Sequence, residues 1–173
     1  MTEYAMPPET VRTLLAAWQA HEVAVCVGGG WAVDALVGKQ TRQHADLDVW
    51  VDAVDTEGLF IALADQGVDR IHPWPGDRPW NFVLHDGRSR RIDLHLYERL
   101  GDGRLHYGSV EAPFVFTCHD LSGDGQIAGM PVPCESAEFA LQNHTGYESR
   151  AIDRHDVAVL CEHFGLRPPE DYR

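Results

Sequence analysis

Three groups of residues in this 173-residue chain have types and spacings that can do chemistry. Asp46 and Asp48 stand two apart in ADLDVWV. On a strand, that spacing puts both carboxylates on one face. Two carboxylates held that close repel each other, and a hard divalent cation such as Mg2+, which favours oxygen ligands, offsets the repulsion. Asp93, in RRIDLHLY, completes a triad if its strand lies beside the first. Three carboxylates can hold two Mg2+ ions, one carrying nucleotide phosphates and one activating an attacking hydroxyl. The third group is the turn Gly28-Gly29-Gly30. Between a strand and a helix, such a turn lets backbone N–H groups approach an anion, and the helix N-terminus adds a positive partial charge. Each feature alone has an ordinary reading, as a tight turn or a solvated strand face. The spelling is neither GxGxxG nor a Walker A loop, because Gly38-Lys39 is followed by Gln40. Lys39, Arg42 and His44 lie just ahead of the carboxylate pair and are candidates to contact a triphosphate.

The elements that must position these groups follow from the apolar pattern. Pro7 and Pro8 suit a helix start, with Val11, Leu14, Leu15 and Trp18 at helical spacing behind them. Val23 to Val27 reads as a buried strand running into the glycines, and Trp31 to Val37 as a short helix stopped by Gly38. Ala45 to Val51 alternates: Asp46, Asp48 and Trp50 point one way, Leu47, Val49 and Val51 the other. Thr56 to Gln66 is an amphipathic helix with Leu59, Ile61 and Leu63 near its apolar side. Asn81 to His85 and Arg91 to Tyr97 pair around Asp86-Gly87 through a loop longer than two residues, with Asp93 and His95 facing away from Ile92, Leu94 and Leu96. Ile127 to Val132 suggests an edge hairpin. Ser136 can cap a helix to about His144, and Asp153 to Phe164 places Val157, Leu160, Cys161 and Phe164 on one stripe. The result is an α/β or α+β sheet domain followed by a short helical tail.

Composition excludes several classes. The formal charge is −13, so a duplex-coating nucleic-acid binder is not expected. Cationic partners, or anions carried in with a metal ion, suit that charge. No apolar run approaches a membrane span. The opening MTEYAMPPET lacks the basic start and apolar stretch of a signal peptide, so a cytoplasmic location is expected. Cys26, Cys118, Cys134 and Cys161 show no CxxC spacing and read as reduced, mostly buried thiols.

The stretch GGGWAVDALVGKQTRQHADLDVWV resembles the signature of antibiotic nucleotidyltransferases of the DNA polymerase beta superfamily: a Gly-Gly turn, a short helix, then Asp-x-Asp on the next strand. The Gly-Gly-Trp-Ala run and the Thr-Arg-x-His approach are similar to aminoglycoside 2''-adenylyltransferases and small lincosamide nucleotidyltransferases. The tail PVPCESAEFALQNHTGYESRAIDRHDVAVLCEHFG is more similar to the lincosamide group. The resemblance covers roughly residues 22–52, 90–97 and 131–165. It implies an α+β nucleotidyltransferase fold, a mixed sheet flanked by helices with a short C-terminal helical tail. It also implies a catalytic domain over 1–134 and a helical segment over 135–173 packed on it. Gly29 and Gly30 would be the phosphate-turn glycines, and Asp46 and Asp48 the Mg2+ ligands. Asp93 would be a third ligand, a general base, or both. ATP would be the co-substrate and a hydroxyl of a cationic antibiotic the acceptor, with pyrophosphate leaving. A homodimer is a further expectation, since dimeric relatives build the acceptor pocket across two chains. Two alternatives share these residues: a protein-modifying enzyme of the toxin–antitoxin kind, and a nucleotide-binding domain that does not catalyse.

Other features carry less. Zinc on His44, Asp46, Asp48, Asp93 and His95 is a rival reading, without HExxH or His-x-His support. His-Asp pairs at 85–86, 119–120 and 155–156 resemble those of helical phosphohydrolases, against which the strands argue. His95 reads as an exposed strand histidine. Trp74 and Trp80, in HPWPGDRPW, are better candidates to stack on a ligand than Trp31 and Trp50. Tyr147 and Glu148 are candidates for the acceptor side.

Overall fold

The computed structural model describes residues 5–173. The first four residues of the opening stretch lie outside the described residues. Helix α1 (Pro8–Ala20) starts at its proline and buries Val11, Leu14, Leu15 and Trp18. Strand β1 (Val25–Gly28) begins two residues later than the apolar run suggests, and helix α2 (Gly29–Val37) follows with no connecting residue. Gly38, at φ +72, closes α2 in the left-handed conformation that favours glycine. Strand β2 (Leu47–Asp52) carries the alternating segment; helix α3 (Thr56–Asp65) follows. In α3 the buried residues are Leu59, Ala62 and Leu63, while Ile61 is exposed, because i, i+3, i+4 spacing and not alternation defines a helical face.

Strand β3 (Arg70–Ile71) is short, and β4 (Asn81–His85) and β5 (Arg91–Arg99) form the expected antiparallel pair. Their loop is fastened by the Asp86 carboxylate, which accepts from the N–H groups of Arg88 and Arg90. Strands β6 (Leu105–Gly108) and β7 (Pro113–Phe116) form a hairpin on the far end of β5, in a region without a sequence signature. Strands β8 (Gly123–Ile127) and β9 (Met130–Cys134) make the edge hairpin, longer than Ile127 to Val132. Helices α4 (Ala137–Asn143) and α5 (Ala151–Phe164) complete the chain. Ser136 caps α4 by accepting from Phe139 N–H. Gly165 ends α5, on which Phe164 is 40% exposed while Val157 and Leu160 are buried.

The main sheet has the order β3-β4-β5-β2-β1-β9-β8, with β2–β5 and β1–β9 parallel and the other neighbours antiparallel. One face packs on α1 and α3 through Leu47, Val49, Val51, Ile92 and Leu94. On the other face, Trp50, Tyr97, Phe116 and Phe139 form a second cluster beneath the β6–β7 hairpin and α4. Val33 of α2 joins Ala140, Val157 and Leu160 in a third, so the C-terminal helices pack on the helix that follows the glycine turn. This is the expected α+β fold, a mixed sheet flanked by helices. All four cysteines are free; Cys26 and Cys134 are buried, but Cys118 is exposed and Cys161 half-buried. Among the described residues no helix is long and apolar enough to cross a membrane.

Candidate active site

Register builds the site. Gly28 of β1 pairs with Asp48 of β2, and Asp48 pairs with Asp93 of β5. One step along on the same face, Cys26 pairs with Trp50, Trp50 with His95, and His95 with Asn81 of β4. The parallel β2–β5 pairing thus brings together carboxylates 45 positions apart in sequence. They open into a cavity of about 840 Å³, lined also by Gly29, Gly30, Asp46, Tyr107 and Glu135. Such a volume lies within the range of small-molecule sites, roughly 300–1,000 Å³.

The glycine turn lies at one end. The N-terminus of α2 has no side-chain cap, so its first N–H groups are available to an anion. A Cβ on Gly29, whose φ is +57, would overlap the Asp48 carboxylate. A Cβ on Gly30 would overlap the Arg42 guanidinium. Gly29 is held to glycine by its positive φ and by Asp48, whereas a side chain at Gly30 would have to displace Arg42.

Asp46 lies just before β2, with its carboxylate 3.9 Å from Arg91 Nε. Burial, then repulsion from Asp48, pushes the Asp46 carboxyl up to about 6. Burial likewise raises Asp93 to about 6; the charge of His95 opposes this and that of Asp48 adds to it. Asp93 Oδ1 accepts a 2.6 Å hydrogen bond from Asn81 Nδ2. Burial also lifts Glu135 to about 7. Its Oε1 accepts from Trp50 Nε1 at 2.6 Å and Asn143 Nδ2 at 2.9 Å, while Oε2 has no hydrogen-bond partner among the described residues.

His95 differs from its expected place as an exposed strand histidine. Its side chain is only 19% exposed, and its Nε2 faces Asp48 Oδ1 at 3.4 Å and Asp93 Oδ1 at 3.8 Å. Burial lowers its basicity, but the hydrogen bond to Asp48 and the charge of Asp93 outweigh that and raise it. Asp48, Asp93 and His95 each direct one donor atom within 4.8 Å of the others, a set of hard oxygens and an imidazole that fits a divalent cation.

The flanking cations divide. Arg42 and His44 line the cavity; Lys39 does not. Lys39 follows Gly38 at the other end of the nine-residue α2, about 13 Å of helix from the glycine turn. It is exposed beside a separate small cleft with Pro8 and Gln126. His44 is buried against Asp34, its Nε2 2.5 Å from Oδ2. Arg42 is held by Asp156 of α5. Of the other ligand candidates, Trp74, Trp50 and Tyr147 line the cavity; Trp31, Trp80 and Glu148 do not. Glu135, Tyr107, Asn81 and Asn143 had no signal in the sequence, since each reaches the site only through tertiary pairing.

A glycine turn feeding a helix, with carboxylates on the next strand and on its parallel neighbour, defines a nucleotidyltransferase. Residues 10–160 match the family described as aminoglycoside-2''-adenylyltransferase, and the chain belongs to that family. A lincosamide resistance protein of Staphylococcus haemolyticus is 28% identical over 147 residues, 85% of this chain and 89% of that protein. A 2''-aminoglycoside nucleotidyltransferase of Klebsiella pneumoniae is 26% identical, over 79% of this chain and 72% of that protein. Among solved structures, the lincomycin-bound lincosamide adenylyltransferase LnuA has a TM-score of 0.73 at 29% identity, covering 87% of this chain and 93% of that one. ANT(2'')-Ia with adenylyl-2''-tobramycin has a TM-score of 0.71 at 22% identity, covering 91% and 89%, and shares the fold. The expected family, fold and enzyme class all hold.

Proposed function

We propose that this enzyme transfers AMP from ATP to a hydroxyl of a lincosamide or aminoglycoside. The observation that carries the reading is the Gly28–Asp48–Asp93 row beside the uncapped turn of α2. The backbone N–H groups at Gly29 and Gly30 bind the triphosphate, with Arg42 and His44 beside them. Asp46, Asp48 and Asp93 hold Mg2+, which when bound neutralises the polyphosphate and lowers the pKa of the acceptor hydroxyl. Asp93 takes the hydroxyl proton. Asn81 occupies its Oδ1 and leaves Oδ2 for that task. The acceptor oxygen bonds to the α-phosphorus as the bond from that phosphorus to the bridging oxygen breaks, and pyrophosphate leaves. Segments 1–134 and 135–173 act as one unit, because Arg42 of the first is held by Asp156 of the second. Free thiols suit the reducing, ATP-rich cytoplasm.

Pyrophosphate release from ATP and Mg2+ across a panel of lincosamides and aminoglycosides tests this reading. Lincosamides come first, because the lincosamide relatives are matched over more of their own length. Release with one drug class is expected. Silence with every drug, with ATP bound, would transfer the activity to a macromolecular acceptor or remove it.

A pH dependence follows from the raised carboxyls. Asp46 and Asp93 keep protons up to about pH 6 in the folded protein, but only to about 4 in the unfolded chain. Between those values the metal-free fold binds more protons than the unfolded chain, so these two groups cost it stability as pH rises through 4–6. A cation competes with the same protons. Millimolar Mg2+ is therefore expected to raise Tm at pH 7 but hardly at pH 4.5, measured against EDTA controls. Equal shifts at both pH values would contradict the assignment.

A further inference from the structure

We propose that His95 is a nitrogen ligand to the cation held by Asp48 and Asp93, so that this position prefers Mn2+ to Mg2+. The inference rests on the proposed cation-dependent reaction and adds which cation the chain selects.

The spacing is the first argument. A charge-assisted N–H···O bond to a carboxylate closes to about 2.7–2.9 Å. His95 Nε2 stays 3.4 Å from Asp48 Oδ1 and 3.8 Å from Asp93 Oδ1, near both and tightly bonded to neither. Neighbouring ligands on an octahedral ion with bonds of about 2.2 Å stand about 3.1 Å apart. Closing in by well under 1 Å would bring the imidazole nitrogen to that separation from each carboxylate oxygen. The side chains are between 19% and 28% exposed, so a cation can reach them from the cavity.

The second argument is the orientation of the ring. Asn81 Nδ2 has two N–H groups, and its shorter contacts are to Asp93 Oδ1 at 2.6 Å and Leu94 O at 3.2 Å. Tyr107 Oη, at 2.9 Å, is nearer to His95 Nδ1 than Asn81 Nδ2, at 3.3 Å. With Nδ1–H donated to that oxygen, Nε2 faces the two carboxylates and can release its proton to present a lone pair to a cation held between them. Metal-bound imidazoles are held in this way, by a hydrogen bond at the other nitrogen. The ring cannot swing aside. Trp50 stacks on it at 4.8 Å, and Glu135 Oε1 fixes the Trp50 indole at 2.6 Å.

Ligand chemistry then sets the preference. Mg2+ favours oxygen ligands and water, whereas an imidazole suits the first-row transition metals, which bind mixed N/O sites in a rising series from Mn2+.

Mn2+ binding is measured by electron paramagnetic resonance without nucleotide and with a non-hydrolysable ATP analogue, and Mg2+ binding by competition. Pulsed spectra of the Mn2+ form report a coordinated 14N directly. The wild-type protein is expected to bind Mn2+ at least about tenfold more tightly than Mg2+ and to show the nitrogen coupling. His95→Gln should lose both the coupling and the preference while keeping Mg2+ affinity within about threefold. Tyr107→Phe, which leaves the ring in place, should weaken Mn2+ about tenfold and retain the coupling. A wild-type spectrum without 14N coupling, or one unchanged in His95→Gln, overturns the proposal while leaving Mg2+-dependent transfer standing. Absence of either cation even with the analogue overturns the proposed reaction too.

Discussion

Asp48→Asn is expected to lower kcat/KM by at least about 10³-fold, the scale of losing one charge-stabilising group in an active site, without unfolding the protein. Asp48 lies where the elements of the site cross. It pairs with Gly28 on one side and Asp93 on the other, and its carboxylate rests on Gly29. Asparagine has the same size and keeps an oxygen for His95 Nε2, so packing survives. What disappears is a negative charge that a cation needs and that helps raise both Asp46 and Asp93. Two readouts should therefore move in opposite senses. Turnover collapses and the Mg2+-induced rise in Tm is lost, while the metal-free variant at pH 7 matches or exceeds the wild-type Tm because a like-charge repulsion is gone. Turnover within tenfold of wild type would remove Asp48 from the mechanism. A variant unfolded by circular dichroism would instead make its role structural.

The features legible in the sequence are local ones. The glycine turn, the Asp-x-Asp spacing and the alternation of β2 and β5 are contained within short windows, and the structure holds them close to where the pattern puts them. Asp93 lies on an equally legible strand, but its pairing opposite Asp48 is a matter of register, which no local pattern fixes. Errors gathered where tertiary contact overrides local pattern. Lys39 looked like a phosphate ligand by nearness in sequence, but the Gly38 cap leaves it at the wrong end of α2. His95 looked exposed by alternation, but Trp50 and the β6–β7 hairpin cover it. That hairpin arises from a segment without a recognisable motif, and it supplies Tyr107. Glu135 follows β9 with no chemical signature around it, and only the parallel β1–β9 pairing brings it beneath Trp50.

Asp156→Asn is expected to raise KM for ATP about tenfold, or about 1.4 kcal/mol, with little change in KM for the acceptor. The Asp156 carboxylate is 1% exposed and holds Arg42 by two bonds, Nε to Oδ1 at 2.8 Å and Nη2 to Oδ2 at 2.6 Å. A paired fork of this kind fixes direction as well as charge. It aims the guanidinium at Gly30, where the triphosphate is proposed to sit. The pair also joins α5 to the loop before β2 across 114 positions of sequence. Burial alone would raise the Asp156 carboxyl, but Arg42 and His144 outweigh it and hold it at about 2. The stabilisation is thus complete above about pH 4 and is lost as pH falls toward 2. Asparagine keeps one acceptor but leaves Arg42 unneutralised. Arg42 is 19% exposed to the cavity, so the cost is put below the full penalty for breaking a buried pair, at about 2 kcal/mol. That lowers Tm by roughly 4–8 °C in a domain of this size. Asp156→Glu, which restores the charge, should recover part of both effects. If Tm falls while KM for ATP stays put, the pair is only a strut. If Tm falls, KM for ATP rises and the glutamate reverses both, residues of the C-terminal helix set the affinity for nucleotide, and the helix belongs to the active site as much as the glycine turn does.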